Sequence, residues 1–369
     1  MAERRSALES MDLKALFQGT YRSRRVLVTG HTGFKGSWLY YWLHQMGAEV
    51  SGLALDPEGQ PNHWQLLDLG GPNDHRIDIR NADSLHKAIS LIQPEIVFHL
   101  AAQPLVRRSY ADPVNTYQTN ITGTINLFEA IRNCPSVAAI VNATTDKVYA
   151  EQPTKYGFSE DDKLGGHDPY STSKACAELV SESYQKCFFA PSVRLATARS
   201  GNVIGGGDWG EDRLIPDAIR CQLNNIPLQL RYPNAIRPWQ HVLEPLSGYL
   251  LLGQNLLASD AALGAWNFGP VAGSEITVSA MLDKLRQYLP ELAVNVGADP
   301  SPHEAAVLRL NHGKARATLC WQPIWGLERT LAKTAQWYTD FHVRGRLNTP
   351  ENLHDYVADA KFLDAVWTQ

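Results

Sequence analysis

Tyr170 and Lys174 stand four residues apart in "DPYSTSKACAELV", so a helix places both on one face. A phenol with an ordinary pKa of about 10 is a poor base at neutral pH. Positive charge nearby favours the phenolate and fits Tyr170 to take a proton from a hydroxyl. A second reactive pair, Asp146 and Lys147, ends the apolar run "VAAIVNA" in "ATTDKVY". Burying an acid or an amine without a partner is costly, so an adjacent pair here suggests an acid and a base in one site. The simpler readings are a surface ion pair after a strand and a chance YxxxK; neither pair decides alone.

Elements that bring such pairs together are visible along the chain. From Arg25 onward, short apolar runs ("RVLVTG", "EVSGLAL", "EIVFHLAA", "VAAIVNATT", "SVRLATARSGN") alternate with longer amphipathic ones. Strands buried between helix layers have this texture, and the alternation predicts an α/β fold with a Rossmann-like, doubly wound parallel sheet. At the first strand-to-helix turn, "VLVTGHTGFKGSW" places Gly30, Gly33 and Gly36 where a tight turn lets backbone N–H groups approach a pyrophosphate. Asp56 follows about 20 residues later, at the end of the second strand, where an acid suits ribose hydroxyls and repels a 2′-phosphate. NAD is therefore expected over NADP. Asp78 in "RIDIR" is either an adenine contact or a helix N-terminal acid.

After Asn202 the texture changes to "VIGGGDWGEDRLIPD" and shorter mixed elements. The expected division is an N-terminal extension (1–24), a dinucleotide-binding domain (25–201 and about 236–258) and a smaller substrate-binding region (about 202–235 and 259–369). The extension reads equally as a frayed tail or a partner contact.

Bulk properties exclude several classes. The 369 residues carry 44% hydrophobic content and a formal charge of −4, which gives no electrostatic case for nucleic acid or an anionic membrane. Five widely spaced cysteines without CxxC read as reduced, and no apolar run reaches the length of a membrane span. A cytoplasmic protein is expected. No HExxH or calcium-loop pattern suggests a metal.

The motifs "TGHTGFKG", "DIR", "HLAAQ", "TNITGT", "TTDKVY", "YSTSK" and "SGNVIGGGDW" resemble, in order and spacing, the extended short-chain dehydrogenase/reductases. "AAQPLVRRSY", "GNVIGGGDWGEDRLIPD" and "RPWQHVLEPLSGYL" narrow the resemblance to the sugar-nucleotide 4,6-dehydratases acting on CDP-glucose. The resemblance implies three steps: oxidation at C4 by NAD with Tyr170 as base, loss of water across C5 and C6, and return of the hydride to C6. It implies Thr145, Asp146, Lys147, Tyr170 and Lys174 as catalytic residues. Asp146 then protonates the leaving hydroxyl, Lys147 acts as a neutral base at C5, and Thr145 bonds the C4 oxygen. This group often has Ser at the Thr145 position, and relatives acting on dTDP-glucose carry Asp-Glu in place of Asp-Lys.

NAD would be held by Gly30, Thr32, Gly33, Phe34, Lys35, Gly36, Asp56, Asp78, Ile79, Leu100, Ala101, Ala102 and Thr119, with Tyr170 and Lys174. Gln103, Asn202, Arg213, Arg231, Arg237 and His303 would hold the sugar nucleotide, guanidinium forks suiting its phosphates. His241, Trp209 and Trp239 read as packing residues. Two long helices, "TGTINLFEAIRN" and "STSKACAELVSESYQKC", would pair with a second copy in a four-helix bundle, giving a homodimer or homotetramer. A sugar-nucleotide 4-epimerase shares the fold, NAD and YxxxK but has no use for Asp146 and Lys147. A non-catalytic NAD-binding regulator would have no need of Tyr170.

Overall fold

The computed structural model describes residues 12–152, 156–189, 191–297 and 305–369. Seven parallel strands form one sheet: β1 (Arg25–Thr29), β2 (Glu49–Ala54), β3 (Asp74–Arg76), β4 (Ile96–His99), β5 (Ala139–Ala143), β6 (Arg194–Ser200) and β7 (Gly264–Phe268). Their spatial order, β7-β6-β5-β4-β1-β2-β3, reverses direction between β1 and β4. Helices cover both faces, because each central strand is apolar on both sides. Val26 and Val28 enter one hydrophobic cluster and Leu27 the other; Phe98 and Val97 divide likewise, as do Val141 and Ile140. Helices α1 (Phe34–Gln45) and α5 (Leu243–Ala258) pack on the first face, α2 (Ala82–Ile92) and α3 (Gly123–Arg132) on the second. The expected doubly wound sheet is what forms.

Two boundaries differ from expectation. Strand β7 lies inside the stretch assigned to the substrate region, pairing with β6 from Gly264↔Ala196 to Phe268↔Ser200. Its five residues, "GAWNF", are too short and too mixed to stand out as a strand without a partner.

The described part of the segment before β1 is no frayed tail. Leu13, Leu16, Phe17 and Tyr21 are buried, and the Tyr21 hydroxyl donates to the Leu250 carbonyl on α5. Phe17 and Gln18 adopt left-handed backbone (φ 53° and 55°), which turns the Phe17 ring inward to stack on Trp367 at 5.3 Å, with the Trp42 ring edge-on at 6.0 Å.

The remaining segments build small two-stranded pairings beside the sheet, such as Leu228–Leu230 with Val294–Val296 and Ile236–Pro238 with Glu275–Thr277. Helices α6 (Leu327–Arg344) and α7 (Thr349–Phe362) bury Leu331, Trp337, Leu353 and Tyr356 in the first hydrophobic cluster. Among the described residues no helix is long and apolar enough to cross a membrane.

Candidate active site

Where a doubly wound sheet reverses direction, a crevice opens beyond the strand ends. The glycine-rich turn sits there. Gly30 has φ +76°, and a Cβ on it would lie 2.7 Å from the Ala101 nitrogen beyond β4. A Cβ on Gly36 would lie 2.0 Å from the Gly30 carbonyl oxygen, so this glycine lets α1 close on the turn. Gly33 meets only the Gly30 oxygen, at 3.3 Å. The Thr29 hydroxyl bonds His99 Nδ1 at 2.7 Å and accepts from the Leu100 and Ala101 N–H groups at 3.2 Å, locking the two strand ends together. Helix α1 begins at Phe34 with no side chain capping it, which leaves a bare helix N-terminus suited to phosphate.

At the far end of β2, Asp56 has an 89% exposed side chain, 3.4 Å from Arg76 Nε. The Thr32 hydroxyl donates to the Leu55 carbonyl beside it. Asp78 is gripped by Arg80 through its Nε (2.9 Å) and its own backbone N–H (2.9 Å), which lowers its pKa. Ile79 packs against Gly123, just after the π-helical turn Gln118–Thr122 that carries Thr119. Turn, acid and bare helix end fit a dinucleotide without a 2′-phosphate.

The catalytic candidates converge from two elements. Strand β5 runs out at Ala143, and Thr145 caps the short turn Asp146–Val148, its hydroxyl accepting from the Lys147 N–H. Helix α4 (Pro169–Tyr184) starts with Asp168 accepting from the Ser171 N–H and hydroxyl at 2.9 and 2.5 Å, and with proline in its first turn. This fixes Tyr170 and Lys174 on the face toward β5. The Thr145 hydroxyl acts on the Tyr170 phenol to lower its pKa, and Lys174 Nζ donates to the Ala143 carbonyl at 3.0 Å. Thr145, Asp146, Tyr170 and Lys174 are all buried, whereas the Lys147 side chain stays 23% exposed. Asp146 Oδ1 lies 3.8 Å from Lys147 Nζ and accepts from Thr145 Oγ1 at 3.1 Å. Its Oδ2 is buried and has no hydrogen-bond partner among the described residues.

Charge is dense here. Burial pushes the Tyr170 phenol pKa up, and the Asp146 charge adds to this; the Thr145 bond and the Arg213 guanidinium oppose it. Burial, with Lys35 nearby, pulls Lys174 down to about 8. Lys35 Nζ donates to Ser200 Oγ at 2.7 Å and lies 3.3 Å from the Tyr249 hydroxyl. Behind Lys174, Glu178 forms a buried bidentate pair with Arg199 (2.9 and 3.0 Å) and accepts from Thr144 and Thr197. Sequence reading missed Ser200, Tyr249, Glu178 and Arg199. Glu178 did carry a signal, standing one helical turn beyond Lys174 on the same face.

The expected substrate residues separate. Arg213 pairs with Asp208 at 2.9 Å and acts electrostatically on Tyr170, so it borders the site. Arg231 and Arg107 share one Asp212 oxygen at 3.0 and 3.2 Å, facing each other across the mouth. Asn202 follows β6, its carbonyl accepting from the Gln240 N–H. Gln103 is held within its own loop. Its amide nitrogen donates to Leu105 O and Thr116 Oγ1 and its oxygen accepts from the Leu105 N–H, so it shapes its own loop. Arg237 is buried, donating to the Ile236 and Ala305 carbonyls at 3.0 and 2.7 Å, and braces the chain there. His303 lies outside the described residues. His241 is buried against Trp38 and Trp325, and burial drives its pKa down to about 3, as befits a packing residue.

Comparison with known proteins agrees with this geometry. A family model for GDP-mannose 4,6 dehydratase matches residues 27–334. The chain is 43% identical to a CDP-glucose 4,6-dehydratase of Salmonella typhimurium over 350 residues, 92% of this chain and 97% of that one. Among solved structures, a dTDP-glucose 4,6-dehydratase of Streptomyces venezuelae with NAD and TYD bound superposes with a TM-score of 0.75. It shares 26% identity over 88% of this chain and 99% of its own. A UDP-glucose 4-epimerase of Thermus thermophilus in complex with NAD gives a TM-score of 0.73 at 26% identity, over 85% and 98%. With its parallel sheet, glycine-rich turn and Thr145–Tyr170–Lys174 cluster, the chain belongs to the GDP-mannose 4,6-dehydratase family of nucleotide-sugar enzymes.

Proposed function

We propose that this chain is an NAD-dependent hydro-lyase that converts CDP-glucose to CDP-4-keto-6-deoxyglucose, a step of deoxysugar biosynthesis. The observation that carries the reading is the Asp146–Lys147 pair, with a buried and unpartnered Asp146 oxygen beside Tyr170. An epimerase needs no second acid and base, so the pair favours water loss over isomerisation. CDP-glucose is favoured over other sugar nucleotides by the 43% identity to the Salmonella enzyme.

Gly30, Gly33, Gly36 and the N-terminus of α1 would hold NAD, which would supply a reversible hydride acceptor for C4 and C6. Tyr170 takes the C4 hydroxyl proton, and Thr145 holds the same oxygen. Because burial keeps the free phenol protonated, its role as a base depends on the positive charge of the oxidised cofactor. Lys147, reachable from solvent, removes the C5 proton made acidic by the C4 ketone, while Asp146 protonates the C6 hydroxyl as it departs. Arg213 and Arg231 would meet the diphosphate.

Assembly and location follow the same reading. Leu179 on α4 and Phe188 beyond it are 55% and 49% exposed, apolar surface that a second copy would cover through α3 and α4 in a dimer or tetramer. All five cysteines are free, which suits a reduced cytoplasm.

The test is mass spectrometry of the protein incubated in D2O with CDP-, dTDP-, GDP- and UDP-hexoses. Water loss from the CDP sugar with one deuterium gained at C5 is the expected result. Isomerisation without water loss would make the chain an epimerase and reduce Asp146 and Lys147 to an ion pair.

A further inference from the structure

Lys35 is an ammonium in the glycine-rich turn whose side chain runs away from the turn and into the catalytic cluster. It donates to Ser200 Oγ at 2.7 Å, that hydroxyl meets the Tyr249 hydroxyl at 2.9 Å, and the ammonium lies 5.6 Å from the Tyr249 ring centroid. Three elements, α1, the end of β6 and α5, therefore fix its position. No carboxylate is among its hydrogen-bond partners, yet Asp146 is close enough to act on it electrostatically, as is Arg213. The unpartnered Asp146 oxygen points to the same strand end: a Cβ on Gly201, next to Ser200, would lie 3.1 Å from it.

We propose that Lys35 is a positioning residue for the elimination step, a fixed cation that stabilises the carboxylate Asp146 becomes when it gives up its proton. This rests on the dehydratase reading above. In that step the Lys147 amine takes the C5 proton, and the C5–H electron pair becomes the C5–C6 double bond. The C6–O bond breaks, and the oxygen leaves as water with the proton of Asp146. The negative charge that appears on Asp146 does so inside the protein, with no water to solvate it, so an ammonium held at a fixed place lowers the barrier without moving. Ser200 and Tyr249 hold that ammonium where direct contact with the carboxylate would otherwise consume it in a static ion pair.

The inference separates leaving-group protonation from every other step, so the test changes the leaving group. Wild type, Lys35→Met, Lys35→Arg and Asp146→Asn are each given CDP-glucose and its 6-deoxy-6-fluoro analogue, whose fluoride departs without a proton. C4 oxidation is followed by the near-ultraviolet absorbance of reduced nicotinamide, and product by mass spectrometry. With CDP-glucose, Lys35→Met should accumulate reduced cofactor and lose about tenfold to a hundredfold in kcat with KM little changed. Lys35→Arg should regain most of that loss. With the fluoro substrate the Lys35→Met deficit should shrink to within about threefold of wild type, in parallel with Asp146→Asn. An equal deficit on both substrates, or failure of the variant to oxidise C4, would place Lys35 in cofactor binding or folding and overturn the proposal. An unchanged kcat would do the same. If wild type itself releases no water from CDP-glucose, the dehydratase reading falls and takes this inference with it, an outcome distinct from a failure confined to the variant.

Discussion

The Asp146 side chain is 2% exposed and that of Lys147 23%. On the proposed mechanism the sealed group gives its proton to the departing oxygen and the more exposed one takes the proton from carbon. Lys147→Ala should therefore leave C4 oxidation intact while product formation falls about a hundredfold to ten-thousandfold. In D2O it should show reduced nicotinamide without C5 deuterium uptake, a readout that separates it from Tyr170→Phe. Tyr170→Phe should show neither reduced nicotinamide nor product in a single turnover. These residues were legible in the sequence because reactive types at fixed spacing, YxxxK and TTDK, survive without knowledge of the fold. The bonds of Gln103 to Leu105 and Thr116 gave no signal, since an amide in a loop looks the same whether it faces a ligand or turns back on its own chain. Ser200 and Tyr249 gave no signal, since their meeting with Lys35 spans 165 and 214 positions of sequence.

Elements matter here chiefly at their ends. Helix α4 presents Tyr170 within its first turn, so the Asp168 cap governs both stability and the aim of the phenol. Asp168→Ala should cost about 1 kcal/mol in denaturant unfolding and lower kcat more than it raises KM. Helix α1 closes on its turn at Gly36. Gly36→Ala adds a methyl 2.0 Å from the Gly30 carbonyl, so the variant should purify without bound NAD, as measured by release after acid denaturation. Capping and glycine spacing were readable because they are local. Strand β7 was not, because "GAWNF" becomes a strand only by pairing with β6 across more than sixty intervening residues.

Across the whole molecule, a buried carboxylate ties the C-terminal helices to the sheet. Glu244 on α5 accepts from the Ile324 and Trp325 N–H groups at 2.9 and 2.6 Å and from the Tyr356 hydroxyl at 2.8 Å. Burial raises its pKa from 4.5 to about 7, against the pull of those hydrogen bonds. A carboxyl raised on folding contributes stability that is complete below its unfolded pKa and is lost as pH climbs through the folded value. Unfolding free energy should therefore fall as pH rises from about 4.5 to about 7, and Glu244→Gln should flatten that slope in urea titrations at several pH values. Beyond Tyr356, whose ring stacks on Trp367, Phe17→Ala in the same core should cost about 3–5 kcal/mol, read the same way. The Phe17 ring stacks on Trp367 and meets the Trp42 ring edge-on, and Trp42 and Trp367 meet each other edge-on. The segment before β1 and the turn at Val366–Thr368 are thus seated by the same rings. Loss of either ring should release both segments together rather than one at a time.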